Sequence, residues 1–321
     1  MARNVPGSAS AVMGELSEAS GDALMGGIHN VLLRIRGDDR VEGNSSSFAM
    51  VNLLGEDQTQ TMMLRGGNAG FLNENGFGFA VSLDYRNIDN DDLEADLFDG
   101  SFLLLHRLNP DLLLYGGVIG EIVEGETHFN AGKVDSQGVG AAGGFDFQLG
   151  ENLSLTGALA YLSLDYDVTR SGGTITGSFD ARRFMADLQA NSFLQSGDQF
   201  YTFNLGARYI NQENNGYRES GGALVGSTDH TTLSALAGAR VRFNRVGMDP
   251  FLETDLRYDL VDESDLPTGV ADPSSTRFNA RFGAGLAHSL GDVMLEVGAG
   301  LHVTEDGYDG FDGRLRAVIR F

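Results

Sequence analysis

The sequence predicts an all-β fold: a closed up-and-down transmembrane β-barrel of twelve strands, with a helix ahead of it. Three observations lead there. Apolar and polar residues alternate with a period of two from Gly76 to the C terminus. The connections between the alternating segments sort into tight turns and longer polar loops, one after the other down the chain. No apolar run reaches the roughly 18 residues of a membrane-spanning helix, yet the near-neutral hydropathy suits a barrel, whose lipid-facing and lumen-facing residues average out.

The alternation holds segment by segment. Phe77, Phe79, Val81, Leu83 and Tyr85 oppose Gly78, Ala80, Ser82, Asp84 and Arg86. Odd positions are apolar from Val139 to Phe147, Tyr201 to Tyr209 and Leu233 to Phe243, and even positions from Phe184 to Leu194. Leu252, Leu256, Tyr258 and Leu260 oppose Glu253, Asp255, Arg257 and Asp259; Phe278, Ala280, Phe282, Ala284 and Leu286 oppose Arg277, Asn279, Arg281, Gly283 and Gly285. Val293 to Val303 and Phe311 to Phe321 follow the same rule, with Met294 and Val318 as exceptions. Three segments are less regular: 94–107 is ambiguous around Phe102 to Leu105, 112–124 is apolar on both faces at its start, and 153–168 changes phase near Tyr161. Twelve strands over 75–321 allow roughly 20 residues for each strand and connection, ample for the 9 to 11 a tilted strand needs to cross a bilayer. Phe48 to Leu54 and Thr59 to Leu64 form an alternative further pair, for fourteen strands, but their short link at Gly55 to Gln58 falls on the side of the longer loops.

Tight turns are expected at Asn109-Pro110, Gly150-Glu151, Ser196-Gly197, Arg245-Val246 and Leu290-Gly291, and long outward loops at Thr169 to Gly177, Asn211 to Asp229 and Asp262 to Ser275. A soluble sandwich has no reason to sort its connections by side, although its core would show the same alternation. The expected organisation is a linker or plug helix segment over 1–40, a connecting segment over 41–74 and the barrel over 75–321. From Ser8 to Arg36 the spacing turns helical, with Val12, Leu16, Ala19, Ala23, Ile28 and Ile35 on one stripe, Ser8 or Ser10 as cap, and Arg34 and Arg36 suited to its C-terminal end. Such a helix is about 40 Å long, enough to thread a bilayer-thick pore.

The net charge of −23 argues against nucleic acid, whose phosphates need clustered cations. The absence of cysteine excludes disulfides, thiolate metal sites and cysteine nucleophiles. Met1 to Ser10 shows no basic and apolar export signal, so the chain reads either as cytosolic or as a piece with its signal upstream. The six histidines show no metal-binding spacing, the Gly-rich runs precede no helix that cradles phosphate, and no GxSxG occurs. Asp229-His230, in an expected outward loop, lacks a matched acidic pair, and Asp89 to Asp92 reads as a solvated acidic loop. No catalytic residue, cofactor or metal is therefore expected. The polar face carries the candidate lumen lining: Arg208, Arg240, Arg242, Arg257, Arg277, Arg281, Arg314, Arg316 and Arg320, with Glu253, Asp255 and Glu296. So many guanidinium groups in one closed pore repel, and need partners among Glu253, Asp255, Asp259, Asp187 and Glu296 or the helix residues Glu15, Glu18 and Asp22. Either this lining holds the helix, or it is an ordinary water-filled channel wall.

Val12 to Ser20, running on to His29-Asn30-Val31-Leu32-Leu33-Arg34-Ile35-Arg36, resembles the linker helix ahead of the β-domain of autotransporters, the type V secretion proteins. At the other end Leu315, Ala317, Ile319 and Phe321 resemble the outer-membrane assembly signal, alternating residues that close on a terminal Phe. The resemblance implies an outer-membrane translocator of a Gram-negative bacterium, with the linker helix in the lumen and a passenger upstream. It implies outer-membrane lipid, the barrel-assembly machinery and that passenger as partners, and no enzymatic activity. Asn30 has no paired Asn, so no linker cleavage is assigned. The other reading is a free-standing channel or porin-like protein with an N-terminal plug.

Overall fold

The computed structural model describes residues 4–48, 76–243, 248–267, 270, 277–290, 293–305 and 307–320. A 3₁₀ turn, Ser8–Val12, leads into helix α1, Met13–Phe48. The strands are β1 Phe77–Asp89, β2 Leu93–Arg107, β3 Leu112–Thr127, β4 Gly132–Gly150, β5 Leu153–Arg170, β6 Ile175–Ser196 and β7 Gln199–Asn214. The two-residue strands β8 Tyr217–Arg218 and β9 Leu224–Val225 pair with each other in a connection, and β10 Thr228–Phe243, β11 Asp249–Ser264, β12 Phe278–Leu290, β13 Val293–Thr304 and β14 Gly307–Arg320 complete the chain. Apart from β8 and β9, every strand pairs antiparallel with its neighbours in one closed barrel of twelve. β1 closes on β14 in continuous register, with Phe79 opposite Ile319 and Leu83 opposite Leu315. The proposed further pair at 48–64 lies outside the described residues, except Phe48, which ends α1.

Side-chain parity is kept along most of the wall and is reset by bulges in β11, where Asp259 and then Asp262 face inward, and in β14 beside Gly310. Leu83, Val139, Leu159, Leu188, Leu205, Leu252, Phe282, Val297 and Leu315 stand on the outer face, exposed, while the intervening residues are buried against α1 and the lumen. Apolar residues exposed in a ring around a closed sheet are what a bilayer covers. The two exceptions to the alternation are one feature: Met294 and Val318 are direct cross-strand partners, and both point inward and are buried.

The phase change expected in 153–168 does not occur. β5 keeps odd residues outside and even residues inside throughout. What changes is polarity: beyond Tyr161 the outward residues become Ser163, Asp165 and Asp167, while Leu162, Leu164, Tyr166 and Val168 are buried inside. The strand has left the hydrocarbon there, so its outside is wet and its inside is the dry one. β2 to β4 do the same, with Glu94, Glu124, Glu126, Lys133 and Asp135 outward and Leu93, Val123 and Val134 inward. The ambiguous Leu103, Leu105 and Leu113 also point inward, into the cluster that buries Val31, Leu32 and Ile35 of α1.

The expected tight connections at Asn109-Pro110, Gly150-Glu151 and Ser196-Gly197 fall at one end, the turn end, while Arg245-Val246 and Gly291 lie outside the described residues. At the other, the loop end, only the β7–β10 and β11–β12 connections are long. Thr169 to Gly177 is not a loop: β5 and β6 run on as a hairpin closed by Ser171 to Thr174. The outward excess is carried there by strand length, β6 having 22 residues against 12 in β13.

Some of the glycine content has a packing cause. Inward-facing Tyr115 lies over Gly144, where an added Cβ would be 2.7 Å from its ring carbon Cζ, and its hydroxyl donates to the Gly157 carbonyl at 2.9 Å.

Replacing outward, mid-strand Leu205 by Arg places a charge in hydrocarbon, and denaturant unfolding of the reconstituted barrel is expected to show a loss of about 2–4 kcal/mol. The same change at Gln137, outward but beside the acidic end of β4, is expected to cost far less in the same measurement.

Candidate functional site

The lumen and the helix it encloses form the candidate site. Through residue 36 the helical segment is enclosed on all sides: Val12, Leu16, Ala19, Ile28 and Ile35 of the expected stripe are buried, Ala23 is half-buried, and Leu24, Met25, Val31 and Leu32 are buried as well. A single stripe is what a helix on a surface needs; one inside a barrel meets wall in every direction. Its termini also differ from expectation. Neither Ser8 nor Ser10 caps the start. Gly7 (φ 76) holds that position, and the Ser8 hydroxyl instead accepts from Asn130 Nδ2 at 2.9 Å. Arg34 and Arg36 are not at a helix end, because α1 continues to Phe48, past the boundary expected at residue 40.

The helix is held by ion pairs at two levels, in its middle and at the turn end. In the middle, Asp22 is gripped by two wall arginines, Arg208 Nη1 at 2.6 Å from one carboxylate oxygen and Arg257 Nη1 at 2.6 Å from the other. Arg257 also meets Glu18 at 2.6 Å and Asp259 at 3.3 Å, and Arg208 meets Asp187 at 2.8 Å. From β6, beside β7, Arg183 pairs with Glu121 of β3 and donates to Ser20 Oγ at 2.8 Å, while Ser20 donates to Asp99 of β2 at 3.0 Å. At the turn end Arg36 pairs with Asp146 and donates to the carbonyls of Pro110 and Asp111 at 3.0 and 2.8 Å, and Arg34 lies 3.5 Å from Asp249. A charge removed from water requires partners of this kind, because one left unpaired in a low-dielectric site is costly.

At the loop end the chain leaves the lumen under a clasp. Glu219, beside β8, accepts from the Gly7 amide at 3.1 Å and from Arg170 Nε and Nη2 at 3.0 and 2.6 Å. Burial works against the charge of Glu219, but Arg170 and the Gly7 amide outweigh it and hold the carboxyl below its ordinary range. A Cβ on Gly7 would stand 2.9 Å from both Pro267 and Val225, so the closeness of the clasp requires glycine.

Away from the helix the lining pairs with itself. Arg240 lies 2.5 Å and Arg316 3.1 Å from Glu296; Arg281 lies 2.6 Å from Asp312 and 3.3 Å from Asp255 and contacts Glu253, as does Arg314. Arg316 also reaches Asp84 at 3.2 Å, and Arg242 lies 4.0 Å from Asp249. Beside Gly26 and Gly27 the interior holds a cavity of about 120 Å³. Arg277 is not in the lumen: it is exposed ahead of β12, beyond the wall that its parity would line. The side chain of Arg320, and Phe321, lie outside the described residues. Leu315 faces outward, and Ala317 and Ile319 are half-buried. Arg183, Arg86, Glu121, Asp99 and Asp146 were not singled out from the sequence, although each shares the inward parity of its strand. His230 is not in an outward loop but on β10, pointing inward.

An autotransporter β-domain model matches residues 52–306. The chain belongs to this family. It is an outer-membrane translocator domain of a Gram-negative bacterium, so the loop end of this autotransporter barrel faces the outside and the turn end the periplasm. The fold resembles the translocator domain of NalP from Neisseria meningitidis, at a TM-score of 0.63 and 15% identity over 83% of this chain and 96% of that one. It also resembles the β-domain of Bordetella BrkA, at 0.56 and 15% over 77% and 100%, and the transport unit of Escherichia coli AIDA-I, at 0.53 and 13% over 89% and 97%. No curated protein matches the chain in sequence.

Asp22→Ala removes the carboxylate shared by Arg208 and Arg257, and is expected to loosen the seating of α1 by about 1.5–3 kcal/mol, the range for hydrogen bonds to charged groups. Faster amide exchange along α1 is the readout, and Asp165→Ala on the outer surface is expected to leave that exchange unchanged.

Proposed function

We propose that this barrel delivers its own N-terminal passenger to the cell surface, and that α1 is the tether occupying the pore once the passenger is outside. The observation that carries this reading is the direction of the helix. Its N-terminal end emerges at the loop end, beneath Glu219 and Arg170, while Arg36 sits at the turn end among Asp146, Pro110 and Asp111. A chain continuing upstream of Asn4 therefore starts outside the membrane, and Phe77, where β1 begins, lies at the same turn end as Arg36.

The arginine lining is the device that holds the tether, with Asp22 and Glu18 as its counter-charges and Arg208 and Arg257 as its anchors. In this reading 1–40 is the linker or plug helix segment, 41–74 the connecting segment and 75–321 the barrel. The protein acts by providing a pore and an anchor rather than by catalysis. Leu315, Ala317, Ile319 and Phe321 are the residues that the barrel-assembly machinery reads. Pairing of the last strand with the first is obligatory in any case, because an open edge in lipid leaves unpaired N–H and C=O groups.

The test of direction is an epitope placed ahead of Met1 in the expressed protein. Antibody added to intact cells is expected to bind it; an epitope reached only after the outer membrane is permeabilised contradicts the reading. For assembly, deletion of Phe321 is expected to lower the fraction of chain that migrates as folded barrel on unheated SDS gels, and an unchanged fraction removes Phe321 from the signal.

A further inference from the structure

The tether and its arginines leave one inward-facing group near the outer mouth without a role. His230 on β10 is 5% exposed, and its ring fits beneath Gly14 of α1, where an added Cβ would be 2.7 Å from Cε1. Nε2 lies 3.2 Å from Glu18 Oε1 on the helix, and Nδ1 lies 3.8 Å from Asp262 Oδ1 on β11. One donor atom from each of Glu18, His230 and Asp262 falls within 4.8 Å of the others. Two hydroxyls complete the surroundings: Ser264 Oγ is 2.8 Å from Nδ1, and Thr232 Oγ1 is 2.8 Å from Nε2.

The charge around this group is a second, independent observation. Arg257 joins Glu18 to Asp22 and Asp259, and Arg208 joins Asp22 to Asp187. Glu18, Asp22, Asp187 and Asp259 are four carboxylates against these two guanidinium groups, a formal excess of two negative charges inside a closed wall. A neutral imidazole offsets none of it, whereas a divalent cation offsets two.

We propose that Glu18, His230 and Asp262 form a site for a divalent transition metal of the zinc class. One imidazole nitrogen and two carboxylate oxygens form a donor set that zinc accepts, with a hydroxyl or water in the fourth position, whereas magnesium prefers an octahedron of oxygens. Because Glu18 belongs to the helix and His230 and Asp262 to neighbouring strands, a bound ion fastens the outer part of α1 to the barrel wall. The competing arrangement has no ion, with the His230 ring hydrogen-bonded to Ser264, Thr232 and Glu18 alone.

The test is isothermal titration of the complete folded protein in detergent, stripped with EDTA and dialysed, against ZnCl₂ and separately MgCl₂. A single-site zinc isotherm is expected, with none for magnesium. Zinc is also expected to raise the thermal unfolding midpoint, since a ligand that binds only the folded state stabilises it. His230→Gln and Asp262→Asn are each expected to weaken zinc binding at least tenfold, with unheated SDS gels reporting whether each variant is folded. Absence of a zinc isotherm in the parent protein overturns the site in favour of the ion-free hydrogen-bonded arrangement, and affinity unchanged in the variants places the metal elsewhere and overturns it too. If His230→Gln does not fold, Asp262→Asn alone decides, and unaltered affinity there overturns the proposal.

Discussion

No backbone amide or carbonyl can be left unpaired in hydrocarbon, and the rest of this structure follows from that constraint. A sheet meets it only by closing, and here closure is the continuous pairing of β1 with β14. Closing twelve strands creates an interior too wide for opposing walls to fill, and the polar parity of each strand makes that interior charged. The helix is the solution to both consequences. Its apolar residues fill space, and Asp22, Glu18, Arg34 and Arg36 supply counter-charges at the levels where the wall needs them.

The wall is divided along its height by what lies outside it. Where lipid surrounds the barrel, Leu159 and Leu188 face out and the interior is a lattice of arginines and carboxylates. Where β2 to β6 rise beyond the lipid, Asp165 and Asp167 face out and the interior becomes an ordinary protein core around Ala9, Val12 and Leu16. The stacked rings of Tyr166, Phe179 and Tyr217 continue that core toward the clasp, with centroids 5.1 and 4.8 Å apart. The outer part of the plug packs dry against β2 to β6, ion pairs from β7 and β11 hold its middle, and at the turn end Arg36 is paired beside the apolar cluster of Leu103, Leu105 and Leu113.

The period of two, read against the tight turns, is enough to place the twelve strands and the inward parity of Arg208, Arg257 and Glu296. It fails where the solvent changes. At Leu162 to Val168 a rule that assumes apolar means outward reports a phase break, although the backbone continues undisturbed, because sequence patterning records polarity and not the height of the bilayer. Arg183 was missed for a related reason: it is adjacent to Arg182, which faces outward, and two consecutive arginines blur the alternation. Helical spacing located α1 but not its end or its full burial, since the partners that bury Leu24 and Leu32 come from strands far along the chain. The pairing of His230 with Glu18 spans 212 positions and has no local pattern to reveal it.

The double grip on Asp22 has a mechanical consequence. Arg208 and Arg257 approach one carboxylate from separate strands of a rigid wall, so the helix is indexed about its own axis as well as along it. Turning it by a single residue swings Asp22 through about 100°, away from both guanidinium groups, and brings a bulkier side chain to the place where Gly21 clears Ile210. The tether behaves as a keyed shaft with one permitted angular setting.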